Sequence, residues 1–463
     1  MKGGEISFSN ELIEYEKEPE KTVMGLVLRI STKSYAGELL HLNINLRSRN
    51  MKEKDPLFWE IKIGSHTAHN RIALNAMECN DADKEGNPSE LTYKRYRKAF
   101  QGNAGVIFME AISVIEESRG RLNQLIGTPA NQKALTKFIS EMKKINNKPL
   151  LFIQLTHSGE LSEPRFSRRV CVKPLPGFGG DLLTEEEVGN IINKFVIAAK
   201  VAHDSGADGI DFKLCHGYLG SQFLRPYNDR KWKYGGPWEN RARFAYETYE
   251  RMNREINDSD FILGSKISVW EGFPGGFGSA GPDTPIIDYS EPTKLVKGIE
   301  ERGARYILQS AGSPSITLAL SQPDRNIPDY AYLHMTFQKV IKDMVKPETV
   351  VIGSAYSVFR NGQNKFLAVN RGESSLVYWG NKNIRDGVVD MIAIGRQSLA
   401  DSLLPAKLES GKIDEVNWCT TCDNCIEFLI RQQPVGCATY DKKYARTLKE
   451  IRKEMGKLSE KHT

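Results

Sequence analysis

What the chain lacks narrows its class. No apolar run approaches the roughly 18 residues of a membrane-spanning helix, and the acidic opening from Met1 to Glu20 has no apolar core of an export signal. The chain therefore reads as soluble and cytoplasmic, with no membrane partner. An excess of one charge is also missing: 64 Lys and Arg against 58 Asp and Glu leave a formal net charge of +6 over 463 residues. That is no nucleic-acid signature, though it suits an anionic substrate or a phosphate-bearing cofactor. A glycine-rich turn leading from strand into helix, which a dinucleotide-binding sheet needs, is absent as well. The nearest match, Gly276-Phe277-Gly278-Ser279-Ala280-Gly281, runs into Pro282-Asp283 and reads as a mobile loop.

Cysteine is scarce and unevenly placed. Seven thiols distributed this way make no disulfide framework and suit a reducing compartment. Cys79, Cys171 and Cys215 are scattered, whereas Cys419, Cys422, Cys425 and Cys437 form a C-x2-C-x2-C-x11-C pattern. Thiolates three apart on a turning chain can hold several corners of an iron–sulfur cube, and a distant fourth closes the last one. Zinc is the competitor, but structural zinc sites more often use two separated C-x2-C pairs. The spacing points to a [4Fe-4S] cluster, and so to electron transfer.

What is there alternates strand and helix. Residues 1–54, with a charge run from Glu14 to Lys21, form an extension of uncertain fold, either a hairpin or a contact for a homo-oligomer. β-rich apolar bursts follow at Ile72–Asn75, Val106–Glu110, Leu150–Gln154, Ile210–Leu214, Ile262–Ile267, Tyr306–Gln309, Val350–Gly353 and Met391–Ile394. Helical periodicity fills Glu90 to Gln101, Gln132 to Ile145 and Glu239 to Asn257, and Thr184 with Glu187 forms a capping box ahead of a further long helix. Eight strands with intervening helices predict an α/β fold, a (β/α)8 TIM barrel over residues 55–410. Residues 411–463 then carry the cysteine-rich cluster segment and a tail whose basic stretches, Lys442-Lys443 and Arg452 to Lys461, predict a solvated terminal helix. A doubly wound sheet is the rival architecture.

Barrel enzymes place chemistry at the C-terminal ends of their strands. In the fourth burst Ile210, Phe212 and Leu214 face the helices, which turns Asp211 and Lys213 inward. A buried lysine needs a partner, and Asp211 or an electron-rich ligand are the candidates. Cys215-His216-Gly217-Tyr218 follows and brings an imidazole and a phenol to the barrel mouth. Strands seven and eight end in Gly353-Ser354 and Gly395-Arg396, which suit a phosphate held by backbone N–H groups and a guanidinium.

These segments resemble the flavin-dependent Old Yellow Enzyme family, in the iron–sulfur branch that includes 2,4-dienoyl-CoA reductase and trimethylamine dehydrogenase. The resemblance is carried by Asp55-Pro56-Leu57-Phe58 through Asn70-Arg71-Ile72, Gln154-Leu155-Thr156-His157, His216-Gly217-Tyr218-Leu219, Tyr234-Gly235-Gly236 with Glu239-Asn240-Arg241, and the cysteine motif. It implies FMN at the barrel mouth, contacted by Ala76, Met77, Ala111 and Gln154. Lys266 would stand where relatives usually have arginine near the flavin pyrimidine, and Gly353, Ser354, Gly395 and Arg396 would hold the phosphate. Lys213 and His216 fall on the pair that binds a substrate oxygen, and Tyr218 on the phenol that protonates carbon. Three departures stand out: Lys213 for the usual histidine, Ala76 for a common proline, and Glu160 where arginine is frequent, which weakens the case for an acidic substrate.

The resemblance implies an FMN- and [4Fe-4S]-dependent oxidoreductase that reduces an activated C=C bond of a small unsaturated molecule. Its rivals are an amine dehydrogenase, with Trp270, Phe273 and Tyr356 as candidate aromatic walls, and a flavin electron-transfer subunit. Roughly 26 residues after Cys437 are too few for a nucleotide-binding domain of even about 50 residues. Electrons are therefore expected from NAD(P)H over the flavin or from a separate electron-donor protein through the cluster.

Overall fold

The computed structural model describes residues 55–324, 326–327, 329–362 and 374–459; the extension expected over residues 1–54 lies outside them. Every apolar burst becomes a strand: β1 Ile72–Leu74, β2 Val106–Ser113, β3 Leu150–Thr156, β4 Gly209–Leu214, β5 Ile262–Ser268, β6 Ala304–Ser310, β7 Val350–Gly353 and β8 Met391–Ile394. Each pairs in parallel with its successor, and β8 returns to β1 through Ile392 opposite Ile72, closing the barrel. The expected TIM barrel is therefore what forms.

Helices cover the outside as the periodicity predicts. Glu90–Gln101 and Gln132–Ile145 match their expected bounds, and Glu185–Asp204 starts from the capping box, with Thr184 N donating to Glu187 Oε2 at 2.8 Å. The expected helix from Glu239 to Asn257 is instead two, Trp238–Arg241 and Arg243–Ile256. At that break the Arg241 guanidinium donates to the Gly236 and Leu224 carbonyls and pairs with Glu291, anchoring the first turn inward. The glycine segment 276–281 is packed structure in place of the expected mobile loop. Phe277 is buried against Trp238, and a short hairpin, Ser279–Gly281 with Thr284–Ile287, follows.

Inside the barrel the layers change character with height. An antiparallel hairpin, Ile61–Ile63 with His66–Ala68, seals the base, and Ile63 and Ala68 pack with Val106, Phe108, Phe152, Leu308 and Ile352. Phe152 stacks on Tyr306 at 5.1 Å with Phe108 edge-on to both, and the Tyr306 hydroxyl donates to the Ile210 carbonyl at 2.9 Å. Gly264 on β5 leaves room for the Tyr306 ring, because a Cβ there would lie inside it. Above this apolar floor the inward positions are Gln154, Asp211, Lys213 and Lys266, all buried. The terminal helix Lys442–Ser459 forms as expected. Leu448 joins Phe428 and Val435 against Cys79 in the loop after β1, where Val435 N donates to the Cys79 carbonyl at 2.8 Å.

The floor makes a measurable demand. Gly264→Ala forces the Tyr306 ring from its stack and is expected to cost about 1–3 kcal/mol of stability, read as a lowered midpoint in urea unfolding. An unchanged midpoint would contradict this account of the floor.

Candidate active site

β4 delivers Lys213 to the barrel mouth, and the chain then turns sharply. His216 and Gly217 both take left-handed backbone angles, φ 65° and 77°. For a non-glycine residue this conformation is strained and marks a position fixed by its surroundings. Here the His216 N–H is held by Ser268 Oγ at 3.1 Å and its ring Nε2 meets Ser310 Oγ at 2.7 Å. Tyr218 comes back over β4 so that the Lys213 ammonium lies 3.2 Å from the centroid of its ring.

Both groups converge on a residue that the motifs did not single out. Glu78, in the loop after β1, accepts from Lys213 Nζ at 2.8 Å and from the Tyr218 hydroxyl at 2.6 Å, both on Oε1. Its other oxygen faces Arg121 Nε at 3.3 Å. Burial alone would raise the Glu78 carboxyl; Lys213, Arg121 and the two hydrogen bonds outweigh it and hold it at about 2. Lys213, opposed by burial but favoured by Glu78 and Tyr218, moves above the usual lysine range. Tyr218 is pushed up to about 12 by burial and the Glu78 charge, so its phenol stays protonated.

The expected partnership of Lys213 with Asp211 is not the one formed. Asp211 stands one layer lower and accepts from Gln154 Nε2 at 2.5 Å, while burial lifts its carboxyl to about 6. Lys266 lies opposite Lys213 across the β4–β5 pair and reaches over the barrel to Asn75 Oδ1 at 3.2 Å. Burial, reinforced by the neighbouring Lys213, lowers its value. His216 is driven well below the ordinary imidazole range by burial and by the Lys266 and Lys213 charges, so its ring is neutral. The mouth thus offers the Lys213 ammonium, a second lysine of lowered basicity, a neutral imidazole and a neutral phenol.

Glu160 is not free to repel an acidic ligand. It is buried and pairs with Arg225 Nη1 at 2.6 Å, and Arg225 also pairs with Glu271 at 2.8 Å. This triad lies directly beneath Gly217, whose Cβ position would be 3.2 Å from Arg225 Nη2. The three aromatic candidates for an amine-binding wall are engaged elsewhere. Trp270 Nε1 donates to the Pro285 carbonyl, Phe273 lies on Arg225, and fully buried Tyr356 donates to Gln338.

The barrel is what comparison with known proteins also finds. Residues 56–415 match the NADH:flavin oxidoreductase / NADH oxidase family. The chain belongs to that family. It is 27% identical over 380 residues to an NADH oxidase of Thermoanaerobacter brockii, covering 80% of this chain and 53% of that protein. It is likewise 27% identical over 416 residues to a cinnamate reductase of Clostridium sporogenes, covering 84% and 58%. A solved 2-naphthoyl-CoA reductase complex superposes with a TM-score of 0.69 at 20% identity, over 83% of this chain and 56% of that one. The chain thus spans about half the length of the curated relatives it matches.

For a member of this flavin family, the residues around the mouth suit FMN. Ser354 Oγ at the end of β7 is buried without a hydrogen-bond partner, and Asp211 Oδ1 and Thr156 Oγ1 are similarly orphaned. A Cβ on Gly395 would meet Met77 Sδ at 3.2 Å, so the turn after β8 and the loop after β1 leave only a narrow approach to backbone. Gly353 is closed on its other side by Gln338, and Ala111 is buried, with its carbonyl taken by Gln124. Ala76 and Met77 continue β1 beside this turn. Arg396 at the head of the next helix pairs with Asp423 and donates to the Pro323 carbonyl, so the expected phosphate arginine also grips the cysteine segment.

In that segment Cys419, Cys422, Cys425 and Cys437 are all free thiols. Burial raises Cys419 and Cys425, with Cys437 and Cys422 adding to the shift at Cys419, and Cys419 and Cys422 to that at Cys425. Left-handed residues Thr421 and Asp423 turn the chain between successive cysteines. The donor chemistry suits a thiolate-ligated cluster. Among the described residues, however, no three His, Cys, Asp or Glu are drawn together as a formed metal site.

The electrostatics fix a pH dependence. Because the Glu78 carboxyl is depressed from 4.5 to about 2, its stabilisation is complete above pH 4.5 and lost as pH falls towards 2. Glu78→Gln should therefore flatten the stability-against-pH curve over that acid window, measured by chemical unfolding at each pH. Equal slopes in the two proteins would show that Glu78 is not held by Lys213 and Arg121.

Proposed function

We propose that the chain is an FMN-dependent oxidoreductase that reduces an activated C=C bond, of an enone, enoate or dienoyl type, in a small molecule. The observation that carries this reading is the convergence of the Lys213 ammonium and the Tyr218 phenol at one point above the barrel floor, with the neutral His216 beside them. FMN, when bound, would supply the hydride. Ala76, Met77, Ala111, Gln154 and Lys266 would hold its ring system, and Gly353, Ser354, Gly395 and Arg396 its phosphate.

The protein's own groups then divide the work. Lys213 keeps two N–H bonds beyond the one on Glu78, and with His216 it would bind the substrate's carbonyl oxygen and stabilise negative charge developing there. Tyr218 would rotate its hydroxyl from Glu78 and give its proton to the α-carbon. Water would restore that proton afterwards. The buried Lys266 would balance charge on the pyrimidine side of the ring. A relative's name, cinnamate reductase, is consistent with a conjugated acceptor. The engagement of Trp270, Phe273 and Tyr356 elsewhere disfavours the amine-oxidising alternative.

Cys419, Cys422, Cys425 and Cys437 would hold a [4Fe-4S] cluster that passes electrons to the flavin from an electron-donor protein. NAD(P)H binding over the flavin is the other entry. A cytoplasmic setting suits the seven free thiols. No described helix is long and apolar enough to cross a membrane.

Two measurements test this. Tyr218→Phe in the FMN-loaded protein should leave flavin reduction nearly unchanged and slow reoxidation by 2-cyclohexen-1-one roughly 10²–10⁴-fold. Equal slowing of both half-reactions would reduce the phenol to a wall of the pocket. Protein purified without oxygen should contain about four iron and four sulfide per chain, lost in Cys422→Ala. Stoichiometric zinc without sulfide would contradict the cluster.

A further inference from the structure

Three loops meet at Glu78. It arrives from the loop after β1, Arg121 from the loop after β2, and Lys213 with Tyr218 from the end of β4 and the turn beyond it. One oxygen, Oε1, receives both the ammonium and the phenol, while the opposite oxygen faces the guanidinium. The Glu78 side chain is 10% exposed and that of Lys213 is 4% exposed, so this charge pattern operates where water screens little.

We propose that Glu78 is the positioning residue of the site: from a single carboxylate oxygen it holds the Lys213 ammonium and the Tyr218 phenol side by side as a preset pair of donors, one for a substrate oxygen and one for the neighbouring carbon. The roles of the two donors rest on the C=C-reductase reading, whereas the hold itself rests on the geometry. Glu78 adds no redox step. It fixes where the ammonium and the phenol oxygen stand before substrate arrives, so that rotation of the Tyr218 hydroxyl away from Glu78 is the movement left for the moment of reaction.

The charge of Glu78 matters as much as its shape. The ionisable groups facing Lys213 are Glu78, Tyr218, Cys215, Asp211, Lys266 and His216, with Arg121 behind Glu78. Among them Glu78 is the carboxylate in contact with Nζ, because Asp211 is engaged by Gln154 and Lys266 repels. Without the Glu78 charge, burial and Lys266 act on the ammonium with little opposition. The proton on Lys213, secure at every pH below the ordinary lysine range while Glu78 is present, would then be lost as pH rises through a lower value.

Glu78→Gln preserves the size and removes the charge, and FMN-loaded protein is the material to use. The first readout is NMR titration of protein labelled with ¹³Cε-lysine, with the Lys213 resonance assigned by its absence in Lys213→Met. The wild-type resonance should not titrate below pH ~10, and Glu78→Gln should bring its midpoint down by at least about one unit. The second readout is kcat/KM for 2-cyclohexen-1-one against pH. Glu78→Gln should gain an alkaline limb falling about tenfold per pH unit and recover part of its activity towards lower pH. Should Glu78→Gln not fold, Glu78→Asp retains the charge on a shorter reach. It should keep Lys213 from titrating below pH ~10 while slowing the Tyr218-dependent reoxidation. A Lys213 midpoint unmoved in Glu78→Gln, or lowered as far in Glu78→Asp, overturns the proposal. So does a loss of kcat/KM equal at every pH. Because the NMR readout needs no turnover, a lowered Lys213 midpoint beside a wild type inert to unsaturated substrates would overturn only the C=C-reductase reading.

Discussion

Two lysines buried side by side set the terms for the rest of this barrel mouth. Lys213 and Lys266 occupy paired positions on β4 and β5 and are 4% and 7% exposed, so their charges repel across a medium that screens poorly. Each is accommodated differently. Lys213 receives a carboxylate, Glu78, and gains basicity; Lys266 receives the amide oxygen of Asn75 and loses some. The asymmetry leaves one firm cation where a substrate oxygen would sit and a second, less basic lysine that would serve the pyrimidine side of the proposed flavin. Burial first, and then the two lysine charges, keep His216 neutral.

The loop after β1 gathers these demands into five residues. Asn75 supports Lys266, Met77 lines the approach to Gly395, Glu78 holds Lys213 and Tyr218, and Cys79 is packed against Phe428 and Val435 beside the cysteine segment. Arg396 makes a second tie, from the end of β8 to Asp423 between two cysteines. The proposed phosphate site, substrate site and cluster segment are therefore joined by short, buried connections within one barrel end.

The fold was legible because period-two apolar bursts and period-3.6 helices alternate along the chain, and alternation on β4 correctly turned Asp211 and Lys213 inward. Local signals failed where a longer-range contact decided the outcome. The helix after Trp238 breaks at Ala242, beside the anchored Arg241, and the glycines at 276–281 lead into a packed hairpin because Phe277 is buried. Asp211 is the acid nearest Lys213 along the strand, but a side chain two residues away sits one layer below. The true partner lies 135 residues earlier. One signal was available: a carboxylate directly after Ala76-Met77, at the C-terminal end of a barrel strand, where acids meet the site.

The central claim is that Lys213, still held by Glu78, is the group that receives a substrate's oxygen. A crystal structure of the FMN-loaded protein with 2-cyclohexen-1-one bound tests it most directly. The account predicts the ligand oxygen within hydrogen-bonding distance of both Lys213 Nζ and His216, with the Lys213–Glu78 pair intact. A ligand oxygen bound away from Lys213, or a lysine turned out of the mouth, would contradict it.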